Sequence, residues 1–527
     1  MKISRSLPSH PGPAHERAAS LELAVGATRE LPVPNRQRAF ISALLVASCL
    51  SLTAAPAEQN WGQWRGPLAN GISPNGNPPT EWSETKNVKW KVPLAGEGQA
   101  TPIIWDNLVF IQSAVPVGKK PEASLNLSPQ FAGLQQPPPG GTPPPNDSRL
   151  RARQPGGPGG GPGGQGGPGQ PGGPGGGRRG GSGGGGAPTS PFQFTMIALD
   201  RATGKVVWQK MLREELPHEG HHGTGSFASG SPMTDGESVF AYFGSRGLYA
   251  LDLKGNVKWQ KDFGKMRSAN QFGEGSSPAL HGNTLVVNWD HEGEDFIAAF
   301  DKTTGRELWK QPRDERTTWG TPFILQHAGV TQVIVSASGK VRSYDLATGK
   351  EIWSAGPLGS NVIPTPVAGH GLVFSMSGHR DPTLLAIKLG RTGDLSGTDA
   401  IAWSTTRDTP YVPSPLLYGD RLYLLKGRDA TLSILDAKTG KPSVEAQRLE
   451  GLNGVYASPV GAAGRVYIVG RDGGALVLKT GDQIEVLATN RLNDGFDASP
   501  AIVGNQLFLR GKQNLYCIAP TERAEVK

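Results

Sequence analysis

Three histidines crowd one short stretch, "PHEGHHGTGS" at 217–226, where His218, His221 and His222 sit beside Glu219. Imidazole is a common ligand for zinc and copper, so a metal site is one reading of the cluster; a loop with no strand or helix to aim the rings is the other. A second group, "DHEGED" at 290–295, begins with Asp290 and His291 and offers oxygen ligands for calcium, but without the regular spacing of a calcium loop. Arg-Asp pairs also recur, as Arg380-Asp381, Arg428-Asp429 and Arg471-Asp472, with "PRDER" (312–316) and "TRD" (406–408) of the same kind. Gathered on one face, guanidinium and carboxylate groups suit a polar or anionic ligand. In the alternative each Asp completes a turn and each Arg is solvated, in surface pairs worth about 0 to 1 kcal/mol. Nothing singles out a catalytic carboxylate among these candidates, so the catalytic residues are unknown at this stage.

The elements that carry these residues are repeats. "ALDRATGKVVW" (198–208) returns as "AFDKTTGRELW" (299–309) and "SYDLATGKEIW" (343–353). Each follows a Ser/Thr-Pro that opens an apolar run, and there are eight of these, from "ATPII" at 100 to "ASPAI" at 498. From Pro232 to Pro500 successive prolines stand 41 to 49 residues apart, the length of a four-stranded propeller blade. One unit, residues 276–310, reads as four short strands A to D separated by Gly/Asn/Asp turns. The eighth unit ends at strand C. "NVKWKVPL" (87–94), with Trp90, has the strand D pattern and is expected to close the ring. The fold class that follows is all-β, an eight-bladed propeller. In such a ring the B–C and D–A loops, which hold most of the charged groups above, rim one mouth of the channel.

The repeated residues have structural roles. Ala198 leaves room, while Asp200, Asp301 and Asp345 can bond turn amides through their side chains. Gly204, Gly305 and Gly349 take the positive φ of the C–D turn. Trp208, Trp259, Trp309, Trp353 and Trp90 each bury a flat plate between blades. Ser343 replaces the alanine, "LYALDLKGNVKW" (248–259) is one residue short, and Val444 stands where Trp is expected, so blades 5 to 7 are expected to be more weakly docked. These residues resemble the tryptophan-docking motif of the quinoprotein dehydrogenase superfamily, closest to its pyrroloquinoline-quinone-like repeat proteins, over about residues 60–522. The resemblance implies a quinone held with calcium at the funnel mouth, in most members between a tryptophan and a disulfide of adjacent cysteines. The only cysteines here are Cys49 and Cys517, and no C-x-x-C-H haem site occurs. The chain therefore looks like the non-enzymatic branch, similar to the outer-membrane assembly factor propellers. No cofactor is expected, with pyrroloquinoline quinone (PQQ) plus calcium as the alternative.

Flanking segments set the context. Arg36 and Arg38 precede the apolar run 39–52, and "APA" at 55–57 is a small-x-small cleavage site, which makes 1–57 a leader with an export signal. "VASC" (46–49) also resembles a lipoprotein box, so membrane attachment is expected only if Cys49 is lipidated. The propeller is assigned to 58–522, with a Gly/Pro-rich insertion at 115–191 that has too little to bury to order itself, and a tail at 523–527. The leader carries a net +3 and the insertion +5, which together account for the chain's +8 and leave the propeller neutral. Nucleic acid is therefore not an expected partner. The expectation is a periplasmic or secreted monomeric scaffold that binds a protein or cell-envelope polymer at its charged mouth. The alternatives are a PQQ-dependent alcohol or sugar dehydrogenase with a modified cofactor seat, and a binder of sugar or cell-wall polymer.

Overall fold

A computed structural model describes residues 57–118 and 185–520; the leader up to residue 56, the insertion from 119 to 184 and the tail from 521 lie outside the described residues. The chain divides into units 1–53 and 54–527, and every described residue belongs to the second. That unit is an eight-bladed β-propeller whose sheets are antiparallel meanders in the order A-B-C-D, with the strands of blade 1 between 103 and 215, blade 2 233–261, blade 3 279–312, blade 4 323–355, blade 5 367–405, blade 6 416–448, blade 7 460–491, and blade 8 501–518 together with 88–93. Blade 4 alone carries a fifth, parallel strand, Gly393–Asp394, which clips to its outer strand Glu351–Ala355. No α-helix occurs among the described residues.

Burial follows from stacking blades face to face. The middle strands are covered on both sides, so they read as apolar runs, as in Ser238–Tyr242 and Thr284–Trp289. Outer strands alternate with solvent, as in Glu307–Pro312. Inner strands are only two to five residues long.

The eleven-residue motif has a clear packing logic. Ala198 pairs across the sheet with Trp208, Ala250 with Trp259, Ala299 with Trp309 and Ser343 with Trp353. In each blade a β-bulge follows that pair and turns the outer strand. The indole then reaches the next blade's C–D turn. Trp90 donates Nε1–H to Arg201 O (3.0 Å), Trp208 to Leu253 O (2.8 Å), Trp259 to Lys302 O (2.9 Å) and Trp309 to Leu346 O (2.8 Å). At Gly204 and Gly305 φ is +72° and +71°, and an added Cβ would stand 2.8 Å from the docked indole. Asp200, Asp301 and Asp345 each accept from the backbone N–H and the hydroxyl of the threonine three residues on.

Trp353 departs from the expected docking: its Nε1 donates to Gln332 Oε1 of its own blade, because blade 5 replaces the short turn with a long C–D connection. Trp403, absent from the motif set, makes the usual contact on blade 6, to Ala437 O at 3.0 Å and against Gly440. Beyond it the plates stop and volume is exchanged within pairs: Ile434 faces Val444, and Val477 faces Ala488.

The ring closes as expected. Val88–Pro93 pairs with Asn514–Ile518 in the last blade, with Trp90 opposite the small side chain of Cys517. A second N-terminal segment, residues 61–73, straps across the channel. Trp61 pairs with Ile104 in blade 1, Gly62 O accepts from Thr234 N in blade 2, and Gly71 and Ser73 bond Gly461 in blade 7.

Candidate functional site

The strap crosses one end of the channel. Trp64 Nε1 donates to Thr365 Oγ1 at 3.3 Å, and the wholly buried guanidinium of Arg65 donates to the carbonyls of Asn70, Pro415 and Pro459. No carboxylate pairs with Arg65 among the described residues, and burial pulls its pKa down to about 9.

Above the strap lies a belt of hydroxyls built from the Ser/Thr-Pro signals. The N–H of Thr101 donates to Ser231 Oγ, and the same step runs through Ser277, Thr321, Thr365, Ser414 and Ser458 to Ser499, at 2.8 to 3.3 Å. Each strand A is thereby tied to its neighbour where the ring is narrowest. The belt ends at Thr101, whose Oγ1 is buried without a partner.

On the other side the channel opens into a cup of about 670 Å3. Its walls come from the D–A and B–C loops, the face that blade topology assigns to the charged groups. His222 and Phe272 meet edge to face with centroids 5.0 Å apart, Phe272 and Trp319 lie 6.5 Å apart, and His379 packs on Tyr411 at 4.8 Å. Arg471 lies over the Tyr456 ring at 4.1 Å.

The sequence candidates fall in different places. Arg428 and Asp429 line the cup and are exposed. Arg380 and Asp381 are exposed and follow the cup residues Gly378 and His379, whose imidazole pKa is lowered by burial and by the Arg380 charge. The Arg-Asp neighbours in sequence are not partners in space: Arg471 Nε bonds Asp497 at 2.6 Å, and Asp472 faces Arg491 at 3.4 Å. Asp290 is withdrawn from the rim, buried in an ion pair with Arg313 at 2.7 Å, and His291 is buried with its Nε2 against Glu294 O.

The three histidines do not converge. His218 Nε2 bonds Met266 O, His221 reaches Glu97 at 3.3 Å, and His222 Nδ1 bonds Thr224 Oγ1. Contact with Glu97 raises the His221 pKa. No group of three or more His, Cys, Asp or Glu side chains able to hold a metal occurs among the described residues.

The strap and most of the aromatic wall went unread in the sequence. A signal exists: Trp319 and Tyr456 each stand two residues before the Ser/Thr of a Ser/Thr-Pro, and Tyr411 three before. That position ends a D–A loop at the channel, so an aromatic there faces the cup.

The family model described as outer membrane protein assembly factor BamB matches residues 169–292 and 293–527. The chain belongs to this family. No curated protein matches it significantly. Among solved structures this BamB-family chain is similar to the quinohemoprotein alcohol dehydrogenase from Comamonas testosteroni, at 9% identity and a TM-score of 0.53, covering 90% of this chain and 83% of that one. It is also similar to a europium-containing methanol dehydrogenase, at 11% identity and TM-score 0.50, covering 87% and 91%. BamB from Moraxella catarrhalis matches at 16% identity and TM-score 0.45, covering 63% of this chain and 93% of that one. At these identities the dehydrogenases speak for the fold alone.

A quinone with calcium can be tested against the cup's own donors. Glu274 is held by Arg246 and Ser245, and Asp497 by Arg471 and Lys512, whereas the exposed Asp429 forms no ion pair among the described residues. Cys517, the one described cysteine, is buried in a strand, and burial pushes its thiol up to about 12. The described residues of the cup therefore lack the paired cysteines that the resemblance implies for a quinone seat.

Proposed function

We propose that the protein is an exported, non-catalytic propeller that holds a protein or cell-envelope polymer at its cup-shaped mouth. The observation that carries this reading is the cup: crossed at its floor by the strap, about 670 Å3 in volume, lined by aromatic rings and rimmed by Arg428 and Lys426. Concave sites of this size are ordinary binding pockets, and here hydroxyls and charged groups stand among the aromatic rings. The family's description as an assembly factor supports a protein partner. The leader, with Arg36, Arg38 and the apolar run 39–52, supports a periplasmic or secreted location.

The test reverses charge at Arg380 and Arg428, which are exposed and form no ion pair among the described residues. Arg471 is spared because it holds the buried Asp497. Immobilised wild type and R380E/R428E are compared for retention of solubilised envelope proteins and of purified peptidoglycan at two salt concentrations. The variant should retain its partner about tenfold less well, with the deficit shrinking at high salt. Equal retention would remove the mouth from consideration. Dye-linked alcohol oxidation after addition of quinone and calcium would replace the scaffold reading with the dehydrogenase.

A further inference from the structure

Against one wall of the cup lies a smaller space of about 20 Å3 between blades 2 and 3, which shares Ser229, Glu274 and Gly275 with it. That is room for about one small polar group. Its polar atoms are buried and several are unpaired. Arg246, on the 3-10 turn Gly244–Arg246, is 2% exposed; its Nη1 donates to Glu274 Oε1 at 2.9 Å, while Nε and Nη2 have no partner. The Tyr242 hydroxyl and Asn288 Oδ1 are also buried and unpaired, with Asn288 Nδ2 donating to Asp290. Leaving such groups unmatched costs their full desolvation, so the space calls for a polar occupant that pairs with them, a bound water or the hydroxyl of a ligand.

Charge narrows the ligand. Glu274 already neutralises Arg246, and Asp290 is paired with Arg313. Glu219 lines the same space, accepting hydrogen bonds from the N–H and hydroxyl of Ser268. An incoming anion would meet three carboxylates against two cations. A neutral hydroxyl meets the requirement, because its oxygen accepts from Arg246 while its proton goes to Asn288 Oδ1. The neighbouring cup supplies flat aromatic faces, Trp319 and Tyr411 among them, for the C–H face of a sugar ring, and belt hydroxyls for its edge.

We infer that the cup takes a neutral saccharide, one of whose hydroxyls enters the side pocket and bonds Arg246, Tyr242 and Asn288. This rests on the mouth being the binding face, and it names the class of polymer held there.

Tyr242→Phe isolates the idea, since the hydroxyl it removes has no protein partner and its loss should not lower the Tm. Isothermal titration of the full chain with maltohexaose, cellohexaose and chitohexaose, and with poly-glutamate as the anionic arm, should show saturable binding of at least one hexasaccharide. Y242F should weaken that binding about tenfold, the upper range for one hydrogen bond. Binding by none of the three sugars, wild-type affinity in Y242F, or Y242F-sensitive binding of poly-glutamate alone would each overturn the proposal. Failure of the saccharides while R380E/R428E still loses its partner would sink only this inference. Unchanged partner retention in R380E/R428E would instead sink the reading of the mouth.

Discussion

Buried charge in this molecule is handled in two ways. Arg65 and Arg510 are wholly buried and bond carbonyl oxygens, and burial draws their pKa values down to about 9 and about 10. Arg313 instead meets Asp290 and Tyr344. Asp295, close to that pair, is raised from 3.8 to about 6, first by burial and then by the Asp290 charge, against the opposing Glu315 N–H. A carboxyl with its folded pKa above its unfolded one gives stability that is fully present below about pH 4 and lost as pH rises through 6. Asp295→Asn keeps an oxygen for the Glu315 N–H and removes the titration. Its Tm relative to wild type should therefore rise between pH 4 and pH 7 in thermal melts, and a constant difference would contradict the assignment. At this scale the sequence was only partly legible. The types of the rim residues could be read, but Arg471 pairs with Asp497 and Asp472 faces Arg491, partners brought together by strand pairing and blade packing that sequence adjacency does not encode.

At the scale of elements, the Ser/Thr-Pro signal does more than open a strand. Ser414 Oγ accepts the Thr365 N–H at 2.9 Å, and the Ser414 N–H is passed on to Ser458 at 2.9 Å. Ser414→Ala would leave a buried N–H unpaired, at a cost of about 1 to 3 kcal/mol, while Ser414→Thr restores the acceptor. Urea titration should show the alanine variant with a lowered midpoint and the threonine variant near wild type; equal midpoints for alanine and wild type would mean the belt is incidental. The strands themselves were legible, because the motif states its own geometry: a small residue beside each tryptophan, an aspartate for the threonine N–H, a glycine under the preceding blade's indole. Trp403 was missed for a physical reason. Its blade lacks the short turn that makes the motif recognisable, yet its indole still docks on Gly440. The strap at 61–73 was missed because it forms no strand, only single bridges to blades far away in sequence.

For the whole molecule the decisive feature is that both ends of the described propeller meet in one blade. The N-terminal stretch acts twice, as the outer strand of blade 8 and as the strap over blades 1, 2 and 7. In a closed ring every blade face is covered by a neighbour, so each blade's stability depends on both neighbours, and the seam is where the two ends of the described propeller are joined. The hydroxyl belt ends there too, at the unpartnered Thr101 Oγ1. What holds the seam is Trp90, 8% exposed, packed on Phe508 with ring centroids 5.9 Å apart and hydrogen-bonded to blade 1 through Arg201 O. Trp90→Ala should cost about 3 to 5 kcal/mol, the range for a large buried aromatic. If the ring unfolds as a unit, the loss should appear as one shifted denaturant transition with an unchanged slope. A second early transition with the main midpoint unmoved would show instead that blade 8 opens alone, and that the ring survives without its closure.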